Sequence, residues 1–350
     1  MIPIRRGMRR PVRRSAGLPA RNAGDPPTPP GTPLRPTGSP SRTGETVPVE
    51  DAPSIPVVRN DAHDRVVTEV LAARHFRHLS PDLVARVTTI EAPKVRRHDE
   101  AVARVKRKLH QIANAYTPAL HAPRDAADAL RSAAGDEDAL RTLAISLMYG
   151  HASTAERLPV HDLITPRLRE AIHGTSGSDG PINPGEHVEA ETPARILDLA
   201  CGLNPLMIPW LGLPRTCRYD AYDADSRLVS IVQAFLEAWG QAGSATVRDI
   251  GGQDTTETAD VVLLLKAVPC LEQVRVGTSR RILETLNANR VIVTYPVQSL
   301  GGNDRGMRST YRQAFDNLVA GLPWHVAELR LPDELGYLLT RKAPPAPVSR

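Results

Sequence analysis

From residue 194 to residue 342, short apolar runs alternate with amphipathic stretches of helical length. The runs "RILDLA", "CRYDAYDAD", "ATVRDI", "ADVVLLLKAVP" and "RVIVTYP" predict five strands, and "WHVAELRL" with "GYLLTRK" predicts a closing hairpin. Between the second and third runs, "SRLVSIVQAFLEAWG" has the apolar spacing of an amphipathic helix. Strands that alternate with helices form a doubly wound, mostly parallel sheet with ligands at the strands' carboxyl ends. The sequence therefore predicts an α/β, Rossmann-like fold.

The turn after the first predicted strand indicates which cofactor the sheet could hold. In "ILDLACGLNPL", Ala200 and the single glycine Gly202 allow a ligand to approach the backbone, and we expect Asn204 to cap the following turn. Asp223, about twenty residues on, ends the second strand where an acid accepts hydrogen bonds from ribose hydroxyls. The glycine-rich turn that binds a pyrophosphate is absent. S-adenosylmethionine fits these features, and an ordinary turn with solvent-facing acids is the alternative.

Two further strand ends carry candidate side chains. Asp249 and Ile250 can offer a carboxylate to the adenine amino group and an apolar side chain to its ring, although Asp249 could equally be a turn acid. At the "KAVPCLEQ" corner, Cys270 follows a proline, as the covalent cysteine of pyrimidine C5 methyltransferases does. A thiolate needs a basic neighbour, and Lys266 lies one helical turn away. A C5-cytosine RNA methyltransferase that uses Cys270 is thus an alternative function, and a small buried cysteine is the simpler reading.

The first half of the chain has a different organisation. Residues 1–60 hold 13 of the 32 prolines and carry a net charge of +6, so the chain's excess of +5 comes from them. Such a segment cannot bury enough apolar surface to fold, and we predict a disordered tail. Apolar residues at helical spacing predict an all-helical domain over 61–173. A Gly/Ser/Pro-rich stretch predicts a linker over 174–192, so the cofactor domain spans 193–342 and a short tail spans 343–350.

A run of basic residues marks the third helix of this domain, with only Asp99 and Glu100 opposed to it. Such a run can contact RNA phosphates, and a solvated charged helix face is the alternative. We call these residues the basic strip: Lys94, Arg96, Arg97, Arg104, Lys106, Arg107 and Lys108.

Other classes of protein fit the sequence poorly. Cysteines 201, 217 and 270 form no C-x-x-C pair, and the histidines lack ligand spacing, so we expect no disulfide framework and no metal site. The sequence contains no apolar run long enough to predict a transmembrane helix. We therefore expect a cytoplasmic protein without a membrane partner, and a monomer.

Five strings together resemble one known family, the aminoglycoside-resistance methyltransferases that modify N7 of a decoding-site guanine in 16S rRNA. They are "RVKRKLHQIANAY" (104–116), "HASTAERL" (151–158), "ILDLACGLNPL" (196–206), "LLLKAVPCLEQ" (263–273) and "VTYPVQSLGGNDRGMRSTY" (293–311). The similarity covers about residues 61–342 and leaves out the first 60 residues. It implies a class I S-adenosylmethionine-dependent methyltransferase sheet, an N-terminal helical rRNA-binding domain, and a substrate that is the assembled 30S ribosomal subunit.

The resemblance also implies which residues contact the cofactor. Arg157 would bind the methionine carboxylate, because a guanidinium can bind a carboxylate through two hydrogen bonds. The full set is Tyr116, His151, Ala152, Ser153, Arg157, Ala200, Gly202, Asp223, Asp249, Ile250, Leu264 or Leu265, and Gln273.

The expected chemistry needs no catalytic base. Guanine N7 carries a lone pair and no proton, so we expect catalysis by positioning and electrostatics. In the loop "SLGGNDRGMRSTY", Arg305 and Arg308 would contact RNA, and Met307 and Tyr311 would pack against a flipped base. The alternatives are a solvated turn for this loop and a non-catalytic RNA-binding assembly factor for the protein.

Overall fold

The computed structural model describes residues 60–113, 116–117, 122–174, 192–297 and 307–342, and these belong to one compact unit. The predicted C-terminal tail, nearly all of the predicted N-terminal tail and linker, and Arg305 lie outside the described residues. Among the described helices, none is long and apolar enough to cross a membrane.

The described residues before the sheet are helical, as the apolar spacing predicts. Two of these helices begin at side-chain caps, since Asn60 Oδ1 accepts from the His63 backbone at 2.8 Å and Asp136 Oδ1 from Ala139 at 2.9 Å. The helices are α1 (Asp61–Ala72), α2 (Pro81–Glu91), α3 (His98–Ile112), α4 (Pro123–Ser132), α5 (Glu137–Met148), α6 (Ala152–Ala155) and α7 (His161–His173).

A seven-stranded sheet follows, in the order β3-β2-β1-β4-β5-β7-β6. Strands β1 to β5 pair in parallel, and β7 pairs antiparallel with both β5 and β6. The strands are β1 (Arg195–Leu199), β2 (Arg218–Asp223), β3 (Gly243–Val247), β4 (Thr258–Leu265), β5 (Asn287–Pro296), β6 (Trp324–Leu331) and β7 (Glu334–Arg341). The intervening helices are α8 (Ile208–Leu211), α9 (Ser226–Trp239), α10 (Val268–Val274), α11 (Thr278–Thr285) and α12 (Met307–Val319).

Both faces of the sheet are buried, because successive residues of a strand point to opposite faces. Ile196 packs into a core shared with α4, α5, α7 and α9, whereas Leu197 and Leu199 pack into a core shared with α10, α11 and α12. The strand order reverses between β1 and β4, and ligands of doubly wound sheets bind at this point.

Helices α1, α2 and α3 enclose a third core and are fastened to the sheet by backbone contacts. Leu79 forms an antiparallel bridge with Asp225, and the Ser80 backbone N–H donates to the Ala224 carbonyl at 2.7 Å. Val274 of α10 belongs to the same core. The helical segment therefore forms one side of the space above the carboxyl ends of β1, β2 and β4.

Candidate cofactor cleft

A cleft opens at the carboxyl ends of the parallel strands, between the sheet and helices α2 and α3. It encloses about 860 Å³ of empty space, including the part open to solvent. The structure brings together in its lining most of the residues that the sequence singled out for the cofactor. They are Tyr116, His151, Ser153, Ala200, Gly202, Asp223, Asp249, Ile250 and Leu265.

The first turn lies against a histidine from the helical segment. Ala200 and Gly202 have φ values of 55° and 53°, in the left-handed region that favours glycine. A Cβ on Gly202 would stand 2.6 Å from His151 Cε1. Only glycine fits here, and the turn leaves its backbone close to the cleft.

Asp223 presents a partly satisfied carboxylate to the cleft. Its Oδ2 accepts from the Gly202 backbone N–H and its Oδ1 from that of Asp225, both at 2.9 Å. Each ionised carboxylate oxygen can accept about two hydrogen bonds, so each keeps capacity for one ribose hydroxyl. Burial raises the pKa of Asp223 to about 6, and these backbone hydrogen bonds limit the rise. The group is therefore mostly ionised at neutral pH.

Asp249 is held by an arginine that the sequence analysis did not single out. Arg86 of α2 donates from Nε to Oδ2 at 2.6 Å and from Nη2 to Oδ1 at 2.8 Å. The third guanidinium nitrogen, Nη1, is buried without a hydrogen-bond partner among the described residues. Strand β3 ends at Val247, earlier than predicted, so Asp249 and Ile250 lie in the loop that follows it. The one available signal for Arg86 was a cation within the apolar stretch "LVARV".

His151 is buried beside the first turn and is neutral. Burial lowers its pKa to about 4, and its Nδ1 has no hydrogen-bond partner in the part of the chain that the structure describes. Its ring lies 6.3 Å from that of Tyr116, with 27° between the planes. An unpaired buried nitrogen next to an open cleft is a group that a bound ligand can satisfy.

Cys270 lies at the cleft as a thiol. Burial raises its pKa, and Sγ donates to Tyr116 Oη at 3.1 Å. Lys266 is not on a helix with it: it follows β4 with φ of 58°, and its Nζ contacts Glu156 Oε2 at 2.7 Å. The covalent alternative therefore lacks its thiolate and its basic neighbour.

Arg157 does not line the cleft. Its Nε and Nη2 donate to the two carboxylate oxygens of Glu334 at 2.6 and 2.8 Å, and its Nη1 donates to Asn204 Oδ1 at 2.7 Å. Asn204 therefore binds Arg157 and does not cap its own turn, contrary to our expectation. Lys266 Nζ reaches Glu334 Oε1 at 3.2 Å and the Ser153 carbonyl at 3.1 Å. This buried network ties the "HASTAER" segment to the first turn and to the start of β7, and direct binding of the methionine carboxylate by Arg157 stays a prediction.

Three other predicted contacts also lie outside the cleft lining. Leu264 packs into the core shared with α10, α11 and α12. Successive residues of a strand point to opposite faces, so Leu265 lines the cleft instead. Ala152 begins α6, and Gln273 is exposed on α10, where its carbonyl accepts from Lys108 Nζ at 3.3 Å.

The basic strip lies on α3, on the short 3-10 helix before it (Ala92–Lys94) and on the bend that joins them, and part of it is already neutralised. Lys94 and Arg104 both bind Glu91, at 2.7 and 2.9 Å, and Arg97 binds Asp99 at 2.6 Å. Arg96, Lys106 and Arg107 have no ion pair with a described residue.

The described part of the "SLGGNDRGMRSTY" loop forms the start of α12. Met307 and Arg308 occupy its first two positions, and the Tyr311 ring lies 5.0 Å from that of Tyr295. Within the described ranges, no group of three or more potential metal-ligating side chains was found.

The cleft fits S-adenosylmethionine. A glycine cradle that a Cβ would fill lies beside two carboxylate oxygens with spare acceptor capacity, and beside the unpaired His151 nitrogen. The apolar side chains that face this space suit an adenine ring: Ile250, Leu265, Ala267 and Leu271.

Comparisons with known proteins agree with this geometry. Residues 72–174 and 187–338 match the family described as ribosomal RNA methyltransferase (FmrO). A 16S rRNA (guanine(1405)-N(7))-methyltransferase of Micromonospora echinospora is 33% identical over 287 residues, 80% of this chain and 97% of that protein. The protein of that name from Serratia marcescens is 32% identical, over 81% of this chain and 98% of its own length.

Solved structures show the same architecture. The 16S rRNA methyltransferase RmtF in complex with S-adenosyl-L-homocysteine has a TM-score of 0.66 and 30% identity, covering 81% of this chain and all of that chain. The 16S rRNA methylase RmtB has a TM-score of 0.61 and 26% identity, covering 80% of this chain and 98% of that chain. With its sheet order, its cleft and its matched residues all in agreement, this chain belongs to the ribosomal RNA methyltransferase (FmrO) family.

Proposed function

We propose that this protein transfers a methyl group from S-adenosylmethionine to N7 of guanine 1405 in the 16S rRNA of the 30S subunit. Cells that carry it become resistant to aminoglycosides that bind the decoding site. One observation carries the proposal: the family match spans both the helical segment and the sheet whose shared cleft holds the Gly202, Asp223 and His151 constellation.

The chemistry suits a site without a catalytic base. The cofactor supplies a methyl group activated by a sulfonium. The N7 lone pair forms a new bond to the methyl carbon, the carbon–sulfur bond breaks with its electrons passing to sulfur, and the positive charge moves to the guanine. No proton is transferred, so the rate depends on alignment of the reacting atoms and on exclusion of water.

The residues of the cleft perform that positioning. The ionised Asp223 accepts from ribose hydroxyls, and Gly202 allows the backbone to approach them. Arg86 orients the buried Asp249 carboxylate through two hydrogen bonds, and Asp249 acts as a hydrogen-bond acceptor for the adenine amino group. Neutral His151 and the Tyr116 ring close the side of the cleft that faces the helical segment.

The RNA is bound outside the cleft. The cations of the basic strip contact phosphates of the 30S subunit, and Met307, Arg308 and Tyr311 at the start of α12 contact the target region. The guanine must leave its stack to reach the methyl group, because the deep major groove of RNA hides N7.

Mass spectrometry of 16S rRNA from cells that express the protein tests the proposal. We expect N7-methylguanine at position 1405, together with a raised aminoglycoside tolerance. The matched control is Asp223→Asn, which keeps the side-chain shape and removes the charge, and it should leave this guanine unmodified. If the wild-type protein leaves the position unmodified, or modifies a cytosine at C5, the proposed function is wrong.

A further inference from the structure

A second concave surface, separate from the cofactor cleft and the basic strip, gathers four arginines from three parts of the chain. Arg74 and Arg77 come from the turn after α1, Arg124 from the first turn of α4, and Arg227 from the first turn of α9. We call this surface the arginine groove. Asp125 is the only carboxylate among the described residues that line it.

Three of these arginines are available to a ligand. Arg74, Arg77 and Arg124 are exposed, and none of their side chains forms a hydrogen bond or ion pair with any residue in the described ranges. Several exposed arginines elsewhere in the described ranges are paired, as Arg131 is with Asp128 at 3.1 Å. A concave surface with unpaired guanidinium groups favours an anion, because their planar forks match phosphate oxygens.

The floor of the groove is rigid. The Ser226 backbone N–H and its hydroxyl both donate to the His78 carbonyl at 2.9 Å. Arg227 Nη2 donates to Thr117 Oγ1 at 3.1 Å and to Asp225 Oδ2 at 2.7 Å. These bonds hold the groove's walls together before any partner binds, which lowers the entropy lost on binding.

The groove and the cofactor cleft share one loop. Ala224 and Asp225, which follow β2, line the cleft, and the next two residues, Ser226 and Arg227, line the groove. A chain held in the groove would therefore pass beside the cofactor.

The lining favours a nucleic acid over a protein partner. Contact surfaces between proteins have an apolar core, often with aromatic side chains. None of the exposed large apolar side chains among the described residues lies in the groove. We propose that the arginine groove binds the sugar–phosphate backbone of the rRNA next to the target guanine, an inference that rests on the proposed function.

A triple variant tests the groove: Arg74→Ala, Arg77→Ala and Arg124→Ala. Arg227 is left intact because it holds Asp225 at the cofactor cleft. Affinity of the full chain for 30S subunits, measured against salt concentration, should fall by at least about tenfold at moderate salt. The slope of log K against log[salt] should decrease by about 2, since each phosphate contact contributes about 0.7–0.9. Calorimetric affinity for S-adenosylmethionine should be unchanged.

The matched control removes three arginines that already have carboxylate partners: Arg131→Ala, Arg141→Ala and Arg167→Ala. It should change affinity for 30S subunits by less than about twofold, because these cations are neutralised within the protein. If both triple variants lose affinity equally, the effect is one of total charge and the groove proposal is wrong.

Directed cleavage tests whether RNA or a ribosomal protein occupies the groove. An iron chelate tethered through Arg124→Cys should cut the 16S rRNA backbone close to guanine 1405. Cleavage confined to a ribosomal protein would overturn the groove proposal and leave the proposed function standing.

If wild-type protein methylates 30S subunits and the groove variant binds and methylates them equally well, the groove proposal alone fails. If the wild-type protein does not methylate them, both fail.

Discussion

The cofactor cleft and the arginine groove lie on either side of the same loop, yet their charged side chains differ in burial and in pairing. In the cleft, charged groups are buried and paired inside the protein, as Arg86 is with Asp249. In the groove, three of the four arginines are exposed, and their side chains have no partner among the described residues. Buried pairs are screened little by salt and fix a geometry, whereas exposed cations are screened strongly and attract a polyanion. We therefore expect the cleft to hold its ligand in a fixed geometry and the groove to bind RNA in a salt-dependent way.

The largest effect should come from breaking the pair that joins α2 to the cleft. Arg86→Met leaves Asp249 buried without its cation, and we expect a loss of about 3–5 kcal/mol in the free energy of unfolding. Urea titration followed by circular dichroism measures it. Combining Arg86→Met with Asp249→Leu should restore most of the stability without restoring cofactor affinity. A loss below about 1 kcal/mol for Arg86→Met would contradict a structural role for this pair.

Removing the cleft's ribose acceptor should have the next largest effect. Asp223→Ala eliminates hydrogen bonds from two ribose hydroxyls to a charged group, each worth about 1.5–3 kcal/mol. Affinity for S-adenosylmethionine, measured by calorimetry, should fall at least about 100-fold. Asp128→Asn, an exposed carboxylate on α4, is the control and should bind normally. Near-normal affinity of the Asp223→Ala variant would show that the ribose hydroxyls do not bind Asp223.

Lowering the pH should weaken cofactor binding in the cleft. Because burial raises the pKa of free Asp223 to about 6, and ribose hydroxyls favour its ionised form, cofactor affinity is full above pH 6 and decreases as the pH falls below it. The decrease should approach about tenfold per pH unit. His151, with a pKa of about 4, stays neutral in this window. Calorimetry from pH 5 to pH 7.5 measures the slope, and Asp223→Asn should abolish it; a flat profile for the wild type would remove Asp223 from the ribose site.

The smallest effect should separate paired from unpaired cations within the basic strip. Arg107→Ala should lower affinity for 30S subunits about two- to fivefold, in proportion to one lost phosphate contact. Arg97→Ala should lower it less, because Arg97 is already bound to Asp99. Filter binding at two salt concentrations compares them. Equal losses would mean that Arg97 exchanges its carboxylate for phosphate on binding.

Much of the fold could be predicted from local sequence, because alternating apolar runs specify strands and the faces that they bury. The parallel core, the closing hairpin and the positions of Gly202 and Asp223 at the strand ends all follow from such patterns. Boundaries were less accurate. Strand β3 ends at Val247, where its pairing with β2 ends at Asp223, and Asp249 lies in the loop that follows.

Contacts over long sequence separations could not be predicted. Arg86 and Asp249 are 163 residues apart, and Arg157 and Glu334 are 177 residues apart. The residues that flank each arginine in the sequence do not indicate which residue it will bind. The family resemblance assigned Arg157 to the methionine carboxylate, a contact that stays a prediction, and nothing in the sequence indicated that Arg157 also binds a carboxylate of the protein itself.

The sequence by itself thus determined the sheet, the glycine turn and the ribose acid, since these depend on spacing along a few neighbouring residues. Tertiary structure alone decided that Asn204 binds Arg157, that Arg86 supports Asp249, and that four separated arginines share one groove. The sequence shows the sign of each charged side chain, but it does not show which residue that side chain binds. Its partner depends on which distant segments the packed cores bring within hydrogen-bond distance.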